Sequence, residues 1–495
     1  MSDVAVARAR DPRVRAWLEG VRPRLLIGAE WVPALSGETF ETVDPTSELP
    51  LAALAAAGPA DVDAAVRAAR HAFEEGPWSR TGPAERAALL RAYAGALEDR
   101  VEELAELETL DSGIPISAAK GLIGGAVEAL HHYAGAASLV AGETVASNPA
   151  SFLFTLREPL GVCAAIIPWN APIDTAIKKI APALAVGNTM VLKPAEQTSL
   201  TAIRLGELAL EVGFPPGVLN VVTGLGASAG AALVEHPDVD KIGFTGSTET
   251  GKRILAASVP TLKRVGLELG GKSPNIVFPD ADMEQALPAT MRGYAALSGQ
   301  VCCAGTRVFV QRDVKDEFVD RLVTFTESIR LGDPLDPTTT MGPVVSRQQY
   351  DRVCSYLDVG VGEGATARTG GAPTTSPGFF VPPTVFDDVD NAMRIAQEEI
   401  FGPVVSVIPF ADEHDAVLQG NDTTYGLAAA VWTSDVTRAH TVARRLKAGT
   451  VWINTILRTS VTMPFGGYKQ SGIGREGGPS WYEDYTQEKA VYLQL

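Results

Sequence analysis

An α/β fold with parallel sheets, spread over more than one doubly wound domain, is predicted for this chain, and three observations carry that reading. From Gly161 onward, short apolar runs (GVCAAII, TMVLK, VLNVVT, KIGFT, RVGLEL) alternate with helical stretches at 171–186, 198–213, 226–235 and 247–257. Alternation of this kind means βαβ units and a parallel sheet covered on both faces. A second alternating series runs between about 280 and 450, broken by Gly/Pro-rich segments at 332–343 and 370–383. The chain has 495 residues, too many for a single core, so at least two domains are expected.

Taken in order, the N-terminus carries Arg8, Arg10, Arg13 and Arg15, interrupted by Asp3 and Asp11 and followed by no apolar run. It reads as a solvated or frayed leader rather than a transit peptide. Residues 60–110 read as helices. Val62, Val66, Ala69 and Phe73 keep helical spacing, as do Leu90, Tyr93, Leu97, Val101 and Leu104 in a longer segment opened by Pro83. The closing WYEDYTQEKAVYLQL contains an alternating run that reads as a strand, whose edge needs a partner within the chain or in another subunit.

Composition narrows the function. Lys+Arg number 42 against 59 Asp+Glu, a net charge of −17, with 46% hydrophobic and 20% charged residues. That is an ordinary globular balance, with no cationic stripe for nucleic acid or an anionic membrane. No apolar run approaches the ~20 residues that span a bilayer. Four cysteines (Cys163, Cys302, Cys303, Cys354) form neither a disulfide framework nor a metal cluster, so a reducing, cytoplasmic setting and no metal are expected.

Loops after the short runs are where a doubly wound sheet binds ligands. After KIGFT comes Gly246-Ser247-Thr248-Glu249-Thr250-Gly251, a glycine turn opening a helix that suits a phosphate or is an ordinary strand–helix turn. After TMVLK, Lys193 and Glu196 are a surface ion pair or a ribose clamp. Asn170, after Pro168-Trp169, is a helix cap or an oxyanion donor. Glu268, followed by Leu269, Gly270 and Gly271, is a carboxylate that an apolar pocket would raise into the range of a general base. The tandem Cys302-Cys303 sits in the Gly-flanked GQVCCAG, where a nucleophile competes with a small buried hydrophobe. Glu398-Glu399 before Phe401 reads on its own as a solvated helix end. The six histidines offer no protease-type signature to support a Cys-His hydrolase.

The order of these pieces is specific. IIPWN (166–170), KPAEQT (193–198), GFPPGVLNVV (213–222), FTGSTETG (244–251), LELGGKSPN (267–275), GQVCCAG (299–305), EEIFGPV (398–404) and PFGGYKQSGIGRE (464–476) follow one another. In this the sequence resembles the NAD(P)-dependent aldehyde dehydrogenase superfamily, in its hydrolytic, retinal- and acetaldehyde-type branch, from about residue 25 to the C-terminus. The resemblance implies the aldehyde dehydrogenase fold: two doubly wound parallel-sheet domains and a small β oligomerisation arm. A Rossmann-like NAD domain would take 1–140 and 160–271, a catalytic domain 272–470, and the arm 141–159 with 471–495. It implies Cys302 as nucleophile, Glu268 as general base, and Asn170 with the Cys302 backbone N–H as oxyanion hole. Lys193 and Glu196 would hold the adenosine ribose, Gly246 and Ser247 the pyrophosphate, Glu399 and Phe401 the nicotinamide ribose. Ile167, Trp169, Gly226, Phe244, Leu269 and Gly270 would complete the NAD site, while Lys179 and Lys272 match family lysines and are read as structural. NAD is expected over NADP, because Glu196 would face a 2′-phosphate. A homo-oligomer, dimer or tetramer, is expected, with a small-molecule aldehyde as the only other partner.

Departures from the family bear on the substrate. Where relatives acting on small aldehydes place aromatics, this chain holds Ala171, Asp174 and Lys178 after Asn170, Ala296 and Leu297 ahead of Gly299, and Leu457, Arg458 and Thr459 ahead of Phe465. With Val301 and Cys303, these would line a widened tunnel for a bulky aromatic, terpenoid or long-chain aldehyde. The alternatives are a carboxylate-bearing semialdehyde held by Lys178 and Arg458, unless Asp174 pairs with Lys178 and Arg458 points to solvent, and a CoA-acylating enzyme, which normally lacks an acid at the Glu268 position.

Overall fold

The computed structural model describes residues 6–374 and 377–495. An eight-stranded sheet organises the first half. Its order is Gly472–Ile473, Arg264–Glu268, Lys241–Thr245, Val162–Ile166, Thr189–Lys193, Leu219–Val221, Leu25–Ile27, Glu30–Val32. The five central strands run parallel, and the strands at both margins are antiparallel additions. Alternation along Val162–Ile166 explains the packing. Cys163 and Ala165 point to one core with the helices Pro83–Glu98, Ile116–Ala136 and Pro172–Val186; Val162, Ala164 and Ile166 point to the other, with Pro59–Glu74. Both faces are therefore apolar, and every residue of the strand is buried.

A seven-stranded sheet organises the second half: Thr366–Thr369, Thr384–Asp387, Val404–Phe410, Arg307–Gln311, Pro274–Val277, Ala428–Trp432, Thr450–Ile453. All but Thr366–Thr369 are parallel. The same alternation sends Ile276 and Phe309 to one core and Val277, Val308 and Val310 to the other. Only the short LGGKS stretch separates Glu268, ending a strand of the first sheet, from Pro274, opening the central strand of the second.

Two expectations are corrected. The basic leader is not frayed: Val6, Ala9, Val14 and Leu18 are buried against Leu54, Leu107 and Leu200. Arg8 pairs with Asp44 at 2.9 Å and Asp333 at 2.7 Å, so the charges are spent on ion pairs. The arm does not begin at 471, because Gly472–Ile473 joins the margin of the first sheet beside Leu267 and Glu268. Of the two partners open to the terminal strand Thr486–Gln494, the one in this chain is taken: it pairs over its whole length with Ser151–Pro159, with Thr144–Val145 beyond. That pairing satisfies the backbone groups of one edge, and as the outermost strand of the small sheet Thr486–Gln494 keeps its other edge outward.

Candidate active site

A cavity of about 740 Å³ lies between the two sheets, at the carboxyl ends of the first sheet's parallel strands. Three loops converge on it. Pro168-Trp169-Asn170 leaves Val162–Ile166 and leads into the helix Pro172–Val186; Glu268-Leu269-Gly270 leaves Arg264–Glu268; Val301-Cys302-Cys303 follows the helix Met283–Ala295. Asn170 is not a helix cap. Ala171 occupies that position with no side-chain cap bond, and the Asn170 Nδ2 donates instead to the Gln300 carbonyl at 2.8 Å, tying the amide to the cysteine loop.

Backbone strain shapes the cysteine loop. Leu297, Ser298 and Gly299 have φ of 49°, 58° and 72°, the left-handed region that side chains resist. Gln300 holds the turn in place, its Oε1 accepting from Val345 N at 2.9 Å. Gly271 lets the two loops meet, since a side chain there would collide with the Cys302 carbonyl oxygen.

Electrostatics divide the site's acids. Glu268 is 6% exposed, and its Oε2 has no hydrogen-bond partner. Burial, then the carboxylate of Glu476, hold it well above the usual carboxylate range. Glu476 is itself paired with the buried Lys179. Glu399 accepts from Gly271 N at 2.9 Å, and burial lifts it to about 7. It is turned into the cavity, whereas Glu398 alone fits the solvated-helix-end reading, paired with Arg394 at 2.9 Å. Cys302 is raised well above the ordinary thiol range by its hydrogen bond to Cys303, by loss of water, and by the facing carboxylates of Glu399 and Glu268.

The expected cofactor residues fall into two groups. Trp169, Gly246, Ser247, Leu269, Gly270, Glu399 and Phe401 line the cavity, with Phe401 edge-on to Trp169 at 5.1 Å between ring centres. Lys193 and Glu196 form a pair at 3.4 Å at the end of the neighbouring strand, outside the cavity. Gly226 is exposed at the start of a helical turn, Gly226–Gly230. Ile167 and Phe244 are core residues, 2% and 5% exposed, and offer a ligand mainly backbone. Ser247 caps the helix Thr248–Ser258, accepting from Thr250 N at 3.2 Å.

Of the substrate residues, Ala171, Asp174, Lys178, Ala296, Leu297, Val301, Cys303, Leu457, Thr459 and Phe465 line the cavity. Arg458 does not: it is exposed outside the wall, its carbonyl accepting from Trp452 Nε1 at 2.7 Å. A loop arginine keeps its charge in water unless a buried partner draws it in. Lys178 is not free either, since Asp174 holds its Nζ at 2.7 Å.

The sequence left a whole wall unread. Gly121, Gly125, Ala129 and Tyr133, spaced by four along Ile116–Ala136, face the cavity with Leu122. The i, i+4 run of small residues is visible in GLIGGAVEAL, yet nothing local says what it faces. Glu476, from a loop, and Gln349 and Arg352, from the helix Arg347–Gly362, also line the cavity and are distant in sequence from its other walls. Among the described residues, no cluster of His, Cys, Asp or Glu is placed to hold a metal ion, and no helix is long and apolar enough to cross a membrane.

A thiol, a buried carboxyl and a side-chain amide meeting at the mouth of a parallel sheet are parts of an acyl-transfer or aldehyde-oxidising site. The aldehyde dehydrogenase family model matches residues 31–491. This chain belongs to the aldehyde dehydrogenase family. It is 47% identical to an aldehyde dehydrogenase of Emericella nidulans over 472 residues, 95% of each chain. A Bacillus cereus aldehyde dehydrogenase solved as an NAD+ complex has 46% identity and superposes with a TM-score of 0.97, covering 98% of this chain and 99% of that one. A P. syringae indole-3-acetaldehyde dehydrogenase, solved with NAD+ and IAA, has 44% identity and a TM-score of 0.95 over 97% of this chain and 99% of that one. Membership makes the chain an oxidoreductase acting on aldehydes, with the family's mixed α/β architecture.

Proposed function

We propose that this dehydrogenase oxidises a bulky, uncharged aldehyde irreversibly to its carboxylic acid, with NAD as cofactor, through a thioester on Cys302. The observation that carries the reading is the meeting of Cys302, Asn170 and Glu268 on one cavity. The residues fit NAD. Glu268 Oε2 and Thr245 Oγ1 are buried polar atoms without protein partners at paired positions of adjacent strands, and a parallel sheet's carboxyl end is where dinucleotides bind. Lys193 and Glu196 would hold the adenosine ribose, Gly246 and Ser247 the pyrophosphate, and Glu399 with Phe401 the nicotinamide ribose. The Glu196 carboxylate disfavours a 2′-phosphate, so NAD is preferred to NADP. NAD, when bound, supplies the hydride acceptor.

The protein's own residues do the rest. Cys302, once ionised, adds to the aldehyde carbon and turns a poor hydride donor into a thiohemiacetal alkoxide. Asn170 Nδ2, fixed by the Gln300 carbonyl, donates toward the developing oxyanion; removing such a donor costs roughly 3–4 kcal/mol of transition-state stabilisation. After oxidation the thioester is hydrolysed by water that Glu268 deprotonates. Burial makes that carboxylate a stronger base than one in solution. Lys179 holds Glu476 beside it.

The tunnel wall supports a large substrate: Ala171, Ala296, Gly121 and Gly125 contribute almost no bulk. The relative named for indole-3-acetaldehyde fits the same picture. With Arg458 outside the wall and Lys178 neutralised by Asp174, no free cation of the expected pair awaits a substrate carboxylate. We place the first sheet with the cofactor, the second with the catalytic loop, and the protein in the cytoplasm as a homo-oligomer, its subunits meeting on the exposed Val145, Phe152, Leu156, Tyr492 and Leu493 of the three-stranded arm. A panel of acetaldehyde, benzaldehyde, citral, decanal and succinate semialdehyde, followed by NADH absorbance, tests the reading. Benzaldehyde, citral or decanal is expected to give the highest kcat/KM. Acetaldehyde or succinate semialdehyde ranking first contradicts it.

A further inference from the structure

The Lys178–Asp174 pair is out of place for a surface ion pair. It lies in the wall of the cavity that holds Cys302, with Asp174 14% and Lys178 35% exposed by side chain, among largely apolar neighbours. An ammonium has three donors, and here only one is spent, on Asp174 Oδ2. Asp174 Oδ1 accepts no hydrogen bond from any described residue. Gly125 stands beside that oxygen, close enough that a Cβ there would touch it at 3.6 Å, and it brings no donor of its own side chain to it. Two donors and one acceptor are therefore left without a protein partner among the described residues, in the wall of the cavity a substrate would fill.

Their position along the tunnel follows from the helix. Asp174 lies in the first turn of Pro172–Val186, just past Asn170, and Lys178 in the second. Helical side chains lean toward the N-terminus, which brings the ammonium back level with Asp174, about one turn or roughly 5 Å beyond the oxyanion donor. The para substituent of a benzaldehyde has the same reach from its aldehyde carbon.

We propose that the Lys178–Asp174 pair is a specificity subsite for a neutral hydroxyl group at the far end of the substrate, the ammonium donating to it and the carboxylate accepting from it. The proposal rests on the bulky-aldehyde reading above and deepens it. A hydroxyl both donates and accepts, matching the two open valences. A carboxylate would meet Asp174 head-on. A plain hydrocarbon would strip water from the pair and return nothing, the situation in which a site built for hydrogen bonding rejects the analogue lacking the polar group. Two neighbouring facts agree with a pair that acts within the cavity. Burial raises Asp174, and besides Asp174 the titratable groups that bear on Lys178 are Glu476 and the Cys302 thiol.

The test compares three para-substituted benzaldehydes of similar size, carrying hydroxymethyl, ethyl or carboxylate, by kcat/KM from NADH absorbance. Wild-type protein is expected to favour hydroxymethyl over ethyl by about ten-fold or more, chiefly in KM, and the double variant Asp174→Leu/Lys178→Leu is expected to shrink that ratio to within about two-fold. Binding of NADH, read by fluorescence, verifies that the variant is folded; if it is not, Lys178→Met alone supplies the same comparison. Equal or better turnover of the ethyl compound by wild type, a ratio the variant leaves unaltered, or the carboxylate ranking first would each overturn the proposal. Equal turnover of all three overturns the subsite and leaves the bulky-aldehyde reading standing. Oxidation of acetaldehyde with none of the three accepted overturns both.

Discussion

Cys302 and Cys303 are adjacent in the chain and differ in what surrounds them. Cys303 is 6% exposed and belongs to a core shared with Val308, Trp432 and Trp452, while Cys302 packs at its rim and faces Glu268 and Glu399. Cys302→Ala is expected to abolish both NADH formation and p-nitrophenyl acetate hydrolysis, and Cys303→Ala to retain most of each. Equal loss in the two variants would assign the nucleophile wrongly. The proton inventory gives a second expectation. Cys302 and Glu268 both hold their protons above the ordinary ranges of their side chains, and both are needed deprotonated. Turnover should therefore rise with pH, its climb displaced to the alkaline side of where an ordinary carboxylate and thiol would put it. A pH–rate profile that falls as pH rises above neutral would contradict the assignment.

At the scale of elements, the helix Pro172–Val186 carries Asn170 at its mouth and the Lys178–Asp174 pair on its face, so its anchoring matters. Glu108, fully buried on the helix Val101–Ser112, accepts from Ile173 N at 3.2 Å, and burial lifts its carboxyl to about 8. A carboxyl that holds its proton more tightly folded than unfolded favours the fold at low pH, and this contribution fades as pH rises toward about 8. Glu108→Gln keeps a polar group at Ile173 N and removes the titration, so the decline of Tm from pH 5 to pH 8 should become shallower. An unchanged slope would mean that Glu108 does not titrate in this range. Much of this element was legible in sequence: the apolar runs and helical stretches after Gly161 announced the alternation, because strand and helix periods are local. The wall formed by Gly121, Gly125 and Ala129 was not, since small residues at helical spacing fit a core as well as a tunnel. Glu476 and Arg352 stayed hidden because only long-range folding brings the loop of the one and the helix of the other to the cavity.

At the scale of the whole molecule, the N-terminal arginines and the terminal strand show where local reading fails. Charge among apolar residues suggested a solvated leader, but Asp44 and Asp333, far off in sequence, take up Arg8. Alternation foretold the strand Thr486–Gln494 and could not foretell that its mate would be Ser151–Pro159 of the same chain. Pairing that edge internally leaves Phe152, Leu156, Tyr492 and Leu493 exposed on the small sheet. Truncation after Tyr485 would strip the sheet of its longest partner, and light scattering should then find monomer or aggregate. A stable, active monomer would contradict the role given to the arm. The chemistry ascribed to the molecule runs in two stages, oxidation of the aldehyde to a thioester on Cys302 and then hydrolysis assisted by Glu268, each stage served by a loop from a different sheet. Pre-steady-state NADH formation by Glu268→Gln with a saturating aromatic aldehyde separates them. A rapid burst close to one NADH per active site, followed by a very slow steady rate, is the expected result. Absence of any burst, or a steady rate equal to that of the unaltered protein, would contradict it.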